Sequence, residues 1–80
     1  MEDWTENGGA LERTFELASF EQAIAFVNRV AELAERENHH PDIAIDFSRV
    51  TLRWSTHSEN AITDRDRDLA SRSAALSGLG

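Results

Sequence analysis

The chain has no cysteine, no lysine and no tyrosine, and one proline in 80 residues. Without cysteine there are no disulfides and no thiolate metal sites. Without lysine every basic residue is an arginine, and the formal net charge is −7. An acidic surface repels phosphate backbones and anionic lipid, so nucleic-acid and membrane-surface partners are not expected. No apolar run approaches the roughly 20 residues that a membrane span needs. The opening MEDWTENGG is acidic and has no apolar stretch, so it does not read as a signal peptide. The expectation is one soluble, cytoplasmic domain over residues 1–80. A chain this short buries only about 60% of the surface that its unfolded form exposes. With no disulfide or thiolate to stabilise it, association of identical chains is the natural way to bury more.

Five segments carry local signals. Trp4 to Glu6, Asn7-Gly8-Gly9, and Ala10 to Leu17 read as a hairpin, with Leu11, Phe15 and Leu17 alternating against Glu12, Thr14 and Glu16. Arg13 interrupts that apolar face. Ser19 to about Asn38 reads as a helix. Ser19 and Gln22 have capping-box spacing, and Phe20, Ala23, Ile24, Val27, Val30, Ala31 and Ala34 form the expected buried stripe, widened by Phe26 and Leu33. Pro41 cannot continue it. Ile43 to Phe47 and Val50 to His57 alternate as two strands joined near Ser48-Arg49. Thr63 caps a second helix that runs to about Leu76, and the last residues to Gly80 are expected to fray. The order β-β-α-β-β-α predicts an α+β fold, a four-stranded antiparallel sheet with helices on one face.

The three histidines are the chemical feature. His39 and His40 lie in the exit turn of the first helix, and His57 closes the last strand. In an antiparallel hairpin that strand end lies beside Asp42, so all three imidazoles should meet at one rim of the sheet. Three readings are open. Imidazole titrates near neutrality and suits acid-base catalysis. A His₃ zinc site is a second, although adjacent residues in extended backbone point opposite ways. The third takes His39 and His40 as cations at a helix C-terminus and His57 as a surface residue.

The spacing supplies more. From Glu35 the chain reads Glu, three residues, His39-His40-Pro41, five residues, Phe47, nine residues, His57, eight residues, Asp66. This resembles the signature of the pterin-4a-carbinolamine dehydratases. LERTFELASFEQAIAFVNRVAELAERENHHPD, RVTLRWSTH and AITDRDRDLA are similar to that family's strand-helix segment, its threonine-histidine strand and its last helix. The resemblance implies dehydration of 4a-hydroxytetrahydropterin, such as 4a-hydroxytetrahydrobiopterin, to quinonoid dihydropterin, recycling the pterin of aromatic hydroxylases with neither metal nor organic cofactor. It carries the site histidines onto His39, His40 and His57, and further site positions onto Glu35, Pro41, Asp66 and Trp4. His39 and His57 would move protons and His40 would hold the pterin or orient the turn. Glu35 could hydrogen-bond an imidazole, Asp66 could fix the tautomer of His57, and Trp4 could stack on the pterin or pack an edge strand. Trp54 reads as core or subunit interface.

The resemblance also implies a homodimer or a dimer of dimers. The family's usual N-terminal helix is not expected here, Ala61 stands for a usual glycine, Asp42-Ile43 for acid-Trp, and Phe47 for tyrosine. Relatives of this fold that act as a dimerisation cofactor or a rubisco-assembly protein supply the alternative, a non-catalytic binding module.

Overall fold

The computed structural model describes residues 3–79, so the expectations that touch Met1, Glu2 and Gly80 lie outside the described residues. The elements run β1 (Thr5–Asn7), β2 (Ala10–Glu16), α1 (Phe20–Glu37), β3 (Asp42–Asp46), β4 (Arg49–Trp54) and α2 (Asp64–Leu76). The strands form one four-stranded sheet in the order β1-β2-β4-β3, antiparallel throughout. This is the architecture that the alternation predicts. Gly8 and Gly9 make the first turn with φ of 60° and 77°, the left-handed region that side chains resist. The β3–β4 turn is Phe47-Ser48, one residue earlier than expected, with Asp46 paired to Arg49. β4 ends at Trp54, so His57 lies beyond the strand rather than within it.

Leu11, Phe15, Val50, Leu52 and Trp54 point from the sheet into the core, and Ala23, Phe26, Val30, Leu33 and Ala34 meet them from α1. The buried stripe of α1 is therefore centred on Phe26 and Leu33, while Phe20 is 51% exposed. The repeat fixes the helix, but its rotation is set by where the sheet lies. Leu69, Ala70 and Ser73 of α2 complete the core. Arg13, the polar break in β2, lays its guanidinium 4.4 Å from the centre of the Phe15 ring and reaches toward Asp3, a cation–π seat that explains its tolerance.

The two helices run antiparallel and each caps the other. Arg29 on α1 donates through Nε to the Leu76 carbonyl at the end of α2, at 3.2 Å. Arg65 on α2 donates to the Glu37 carbonyl at the end of α1. Each arginine satisfies a carbonyl that its partner helix leaves unpaired. At the tail, Ser77 is buried and its Oγ bonds the Ala74 carbonyl and the Leu79 amide. Residues 77–79 are thus tied down rather than frayed. Among the described residues no helix is long and apolar enough to cross a membrane.

Candidate active site

The exit of α1 sets the first two histidines. Asn38 takes the left-handed conformation with φ 51°. Its amide bonds the Glu35 carbonyl, and the His39 amide bonds the Ala34 carbonyl at 3.1 Å. That pair of bonds is the Schellman pattern, and asparagine is one of the few residues that accept it. The turn fixes the His39 backbone before its side chain meets anything. His39 then points inward, its side chain 10% exposed, and His40 points outward, 55% exposed.

Different carboxylates receive the two rings. His39 Nε2 lies 2.7 Å from Asp66 Oδ1, and His40 Nε2 lies 2.5 Å from Glu35 Oε2. Asp66 therefore pairs with His39, and its expected bond to His57 is not made. The reason is geometric. Asp66 stands in the first turn of α2, which points it at the exit of α1, whereas His57 lies on a separate loop. Thr56 starts that loop, which the Thr56–Ala61 bridge closes and an Asn60 amide to His57 carbonyl bond tightens. Beneath His39 lies the Trp54 ring, tilted only 7° from it with centroids 6.0 Å apart. The Trp54 Nε1 donates to Ser73 Oγ at 3.2 Å, which anchors the indole to α2.

Asp66 is fully buried and is the electrostatic centre of this region. Its Oδ2 accepts from Thr56 Oγ1 at 2.7 Å and from the Thr63 amide at 2.9 Å. Burial alone pushes the carboxyl up, but the bonds from His39, Thr63 and Thr56 and the charge of His39 outweigh it and hold the pKa below the ordinary value. A carboxyl depressed in the fold stabilises it above the unfolded value of 3.8 and loses that contribution as pH falls through the folded value. Urea unfolding across this range is therefore expected to show the wild type losing stability on acidification more steeply than Asp66→Asn. Parallel pH profiles for the two proteins would contradict this.

Above these groups opens a cleft of about 440 Å³ whose walls include His39, His40, Pro41, Thr56, His57 and Arg65. The size suits a small heterocycle, since ligand pockets run about 300–1,000 Å³. Among the described residues no group of three histidine, cysteine or acidic side chains is arranged to hold a metal ion. The profile of the pterin 4 alpha carbinolamine dehydratase family matches residues 1–76.

The chain belongs to that family.

A relative in Thermomicrobium roseum, provisionally named pterin-4-alpha-carbinolamine dehydratase, is 52% identical over 73 residues, which span 91% of this chain and 78% of the relative. One of the same provisional name in Nocardia farcinica is 53% identical over 70 residues, or 88% and 74% of the two chains. Among solved structures, a Brucella melitensis protein described as a transcriptional coactivator/pterin dehydratase superposes with a TM-score of 0.88 at 30% identity, covering 96% of this chain and 84% of that one. A pterin dehydratase-like protein described as a RuBisCO assembly factor in the alpha-carboxysome shares the fold, with a TM-score of 0.79 at 24% identity over 96% of this chain and 89% of that one.

For this family member the cleft gathers His39, His40, His57 and Pro41, with Asp66 directly beneath and Glu35 on its outer flank. Trp4 is not among them. It is 7% exposed and packs edge-on against Phe15, at 5.8 Å between ring centres. The Thr5–Glu12 register sets the N-terminal end of β1 away from the Leu11–Trp54 end of the sheet, where the cleft opens. Three neighbours of the site escape a reading of the sequence: Trp54 beside His39, Thr56 on Asp66, and Arg65 on the cleft wall. Arg65 does carry a signal. A cation in the first turn of a helix opposes the dipole, so its partner must lie elsewhere.

Proposed function

We propose that the chain dehydrates 4a-hydroxytetrahydropterin to quinonoid dihydropterin, with imidazoles as acid and base. The observation that supports this reading most is one cleft wall shared by His39, seated on a buried carboxylate, and His57, exposed on a loop. The substrate must break its C4a–O bond and lose the N5 proton. Hydroxide leaves poorly, so a protonated imidazole gives its proton to the hydroxyl, which departs as water. A neutral imidazole takes the proton from N5, and the N5 electron pair left behind forms the N5=C4a double bond. His39 and His57 carry these protons. His40, bonded to Glu35 at the mouth, holds the pterin, and Pro41 shapes the turn. The test is the dehydration of the carbinolamine generated in situ, followed by absorbance. The wild type should outpace buffer and His57→Ala should lose most of that acceleration. A folded wild type no faster than buffer would put a non-catalytic binding role first.

The protein works as a homodimer or a dimer of dimers. β3 is an edge strand, and Ile43 and Ile45 on it are 37% and 39% exposed, with Phe47 73% exposed in the adjoining turn. An uncovered edge strand with apolar side chains invites a further strand. Light scattering is expected to give a mass above that of one chain, and Ile45→Asp to lower it. A wild-type monomer at working concentration would remove this part of the proposal.

A further inference from the structure

We infer that Thr56 is a positioning residue for proton transfer by His39: its hydroxyl holds Asp66 as a pure acceptor, so that Asp66 keeps a proton on His39 Nε2 and leaves Nδ1 for the reaction. This rests on the reading that His39 moves a proton.

The hydrogen bonds run in one direction. Thr56 Oγ1 donates its single hydrogen to Asp66 Oδ2 at 2.7 Å. The second short contact of that hydroxyl, 2.7 Å to Thr63 Oγ1, is therefore one in which Thr63 donates. A chain results, from the Thr63 hydroxyl to the Thr56 hydroxyl to Asp66 Oδ2, and the Thr63 amide adds a further donor at 2.9 Å. Such a chain strengthens each of its members. With Oδ2 occupied by donors the carboxylate stays ionised, as its lowered pKa agrees. An ionised carboxylate can only accept, so the 2.7 Å contact of Oδ1 is a bond donated by His39 Nε2. In the neutral ring the other nitrogen, Nδ1, then carries the free lone pair. The parallel Trp54 ring and the bond from the His39 amide to Ala34 set the plane of the ring and its backbone, which keeps Nε2 on Asp66.

Thr56 has a second attachment that no other residue of the network shares. It is the root of the loop that carries His57, bridged to Ala61 across that loop. One side chain thus ties the loop of one proposed proton carrier to the carboxylate that orients the other. Valine matches threonine in shape but lacks the hydroxyl, while serine keeps the hydroxyl.

The test uses the full chain with ¹⁵N-labelled histidine, observed at about pH 8, where ordinary imidazole is neutral. The wild type is expected to show His39 protonated at Nε2 and bare at Nδ1. Thr56→Val should admit the other tautomer and lower kcat roughly tenfold, the scale of one hydrogen bond to a charged group. KM should move little, and Thr56→Ser should restore both tautomer and rate. A wild-type His39 protonated at Nδ1 overturns the inference without any variant, and so does a folded Thr56→Val with unchanged tautomer and rate. If the tautomers behave as expected but the wild type dehydrates no carbinolamine, the orienting role of Thr56 stands and the proposed reaction falls.

Discussion

Alanine in place of His39 is expected to slow dehydration by about 10²-fold or more, the usual contribution of a positioned acid or base, whereas alanine in place of His40 should cost less than about tenfold. The contrast follows from burial. The His39 ring sits on Asp66 at 2.7 Å with 10% of its side chain exposed, so its position is fixed before substrate arrives. The His40 ring is 55% exposed and its partner Glu35 is 78% exposed. An ion pair in that setting is screened by water and holds its ring loosely. His39→Ala also leaves the Oδ1 of a buried Asp66 without its donor, so circular dichroism and denaturation must accompany the rates. Single-turnover kinetics on both variants, each checked as folded, make the comparison. Equal losses for the two would mean that the buried ring has no privileged part in the chemistry.

The second large effect is on stability. Trp54→Ala is expected to cost about 3–5 kcal/mol, as large-to-small changes at fully buried aromatics do. Trp54 is 0% exposed at the inner end of β4, and its indole nitrogen bonds Ser73 on α2. A small domain holds only about 5–15 kcal/mol in total, so the melting temperature should fall by more than about 12 °C. Trp54→Phe keeps an aromatic face beside His39 but loses the bond to Ser73 and leaves a small cavity, so it should cost less than the alanine change, about 1–3 kcal/mol. Urea denaturation measures both. An alanine variant within about 1 kcal/mol of wild type, well below that range, would show that Trp54 is not a structural post between the sheet and the site.

How far the residues announced this arrangement can be traced one at a time. Pro41 stops α1 wherever its rotation lies, so the histidine pair in an exit turn was legible, as was the approach of His57 to the same rim. Strand alternation gave the sheet, because a one-residue slip would turn Leu52 and Trp54 out to solvent. The pairing of acids with histidines was not legible. Asp66 lies 27 residues from His39 and nine from His57, yet it meets the more distant one, since the seating of α2 on the sheet decides the matter. The rotation of α1 toward Phe26 and Leu33 is of the same kind, and so is the burial of Trp4, which depends on the register of β1. Local sequence specifies elements and their ends; the contacts between elements come from packing.

The measurement that bears most directly on the central claim is the pH–rate profile for dehydration, wild type beside His57→Ala. Catalysis by one protonated and one neutral imidazole requires a maximum near neutral pH with the rate falling on both sides, because ordinary imidazole titrates at about 6.5. The variant should keep a much lower rate and lose one of the two falling limbs. A wild-type rate that does not vary between about pH 5 and 9, across the range in which imidazole changes charge, would contradict histidine acid-base catalysis in this cleft.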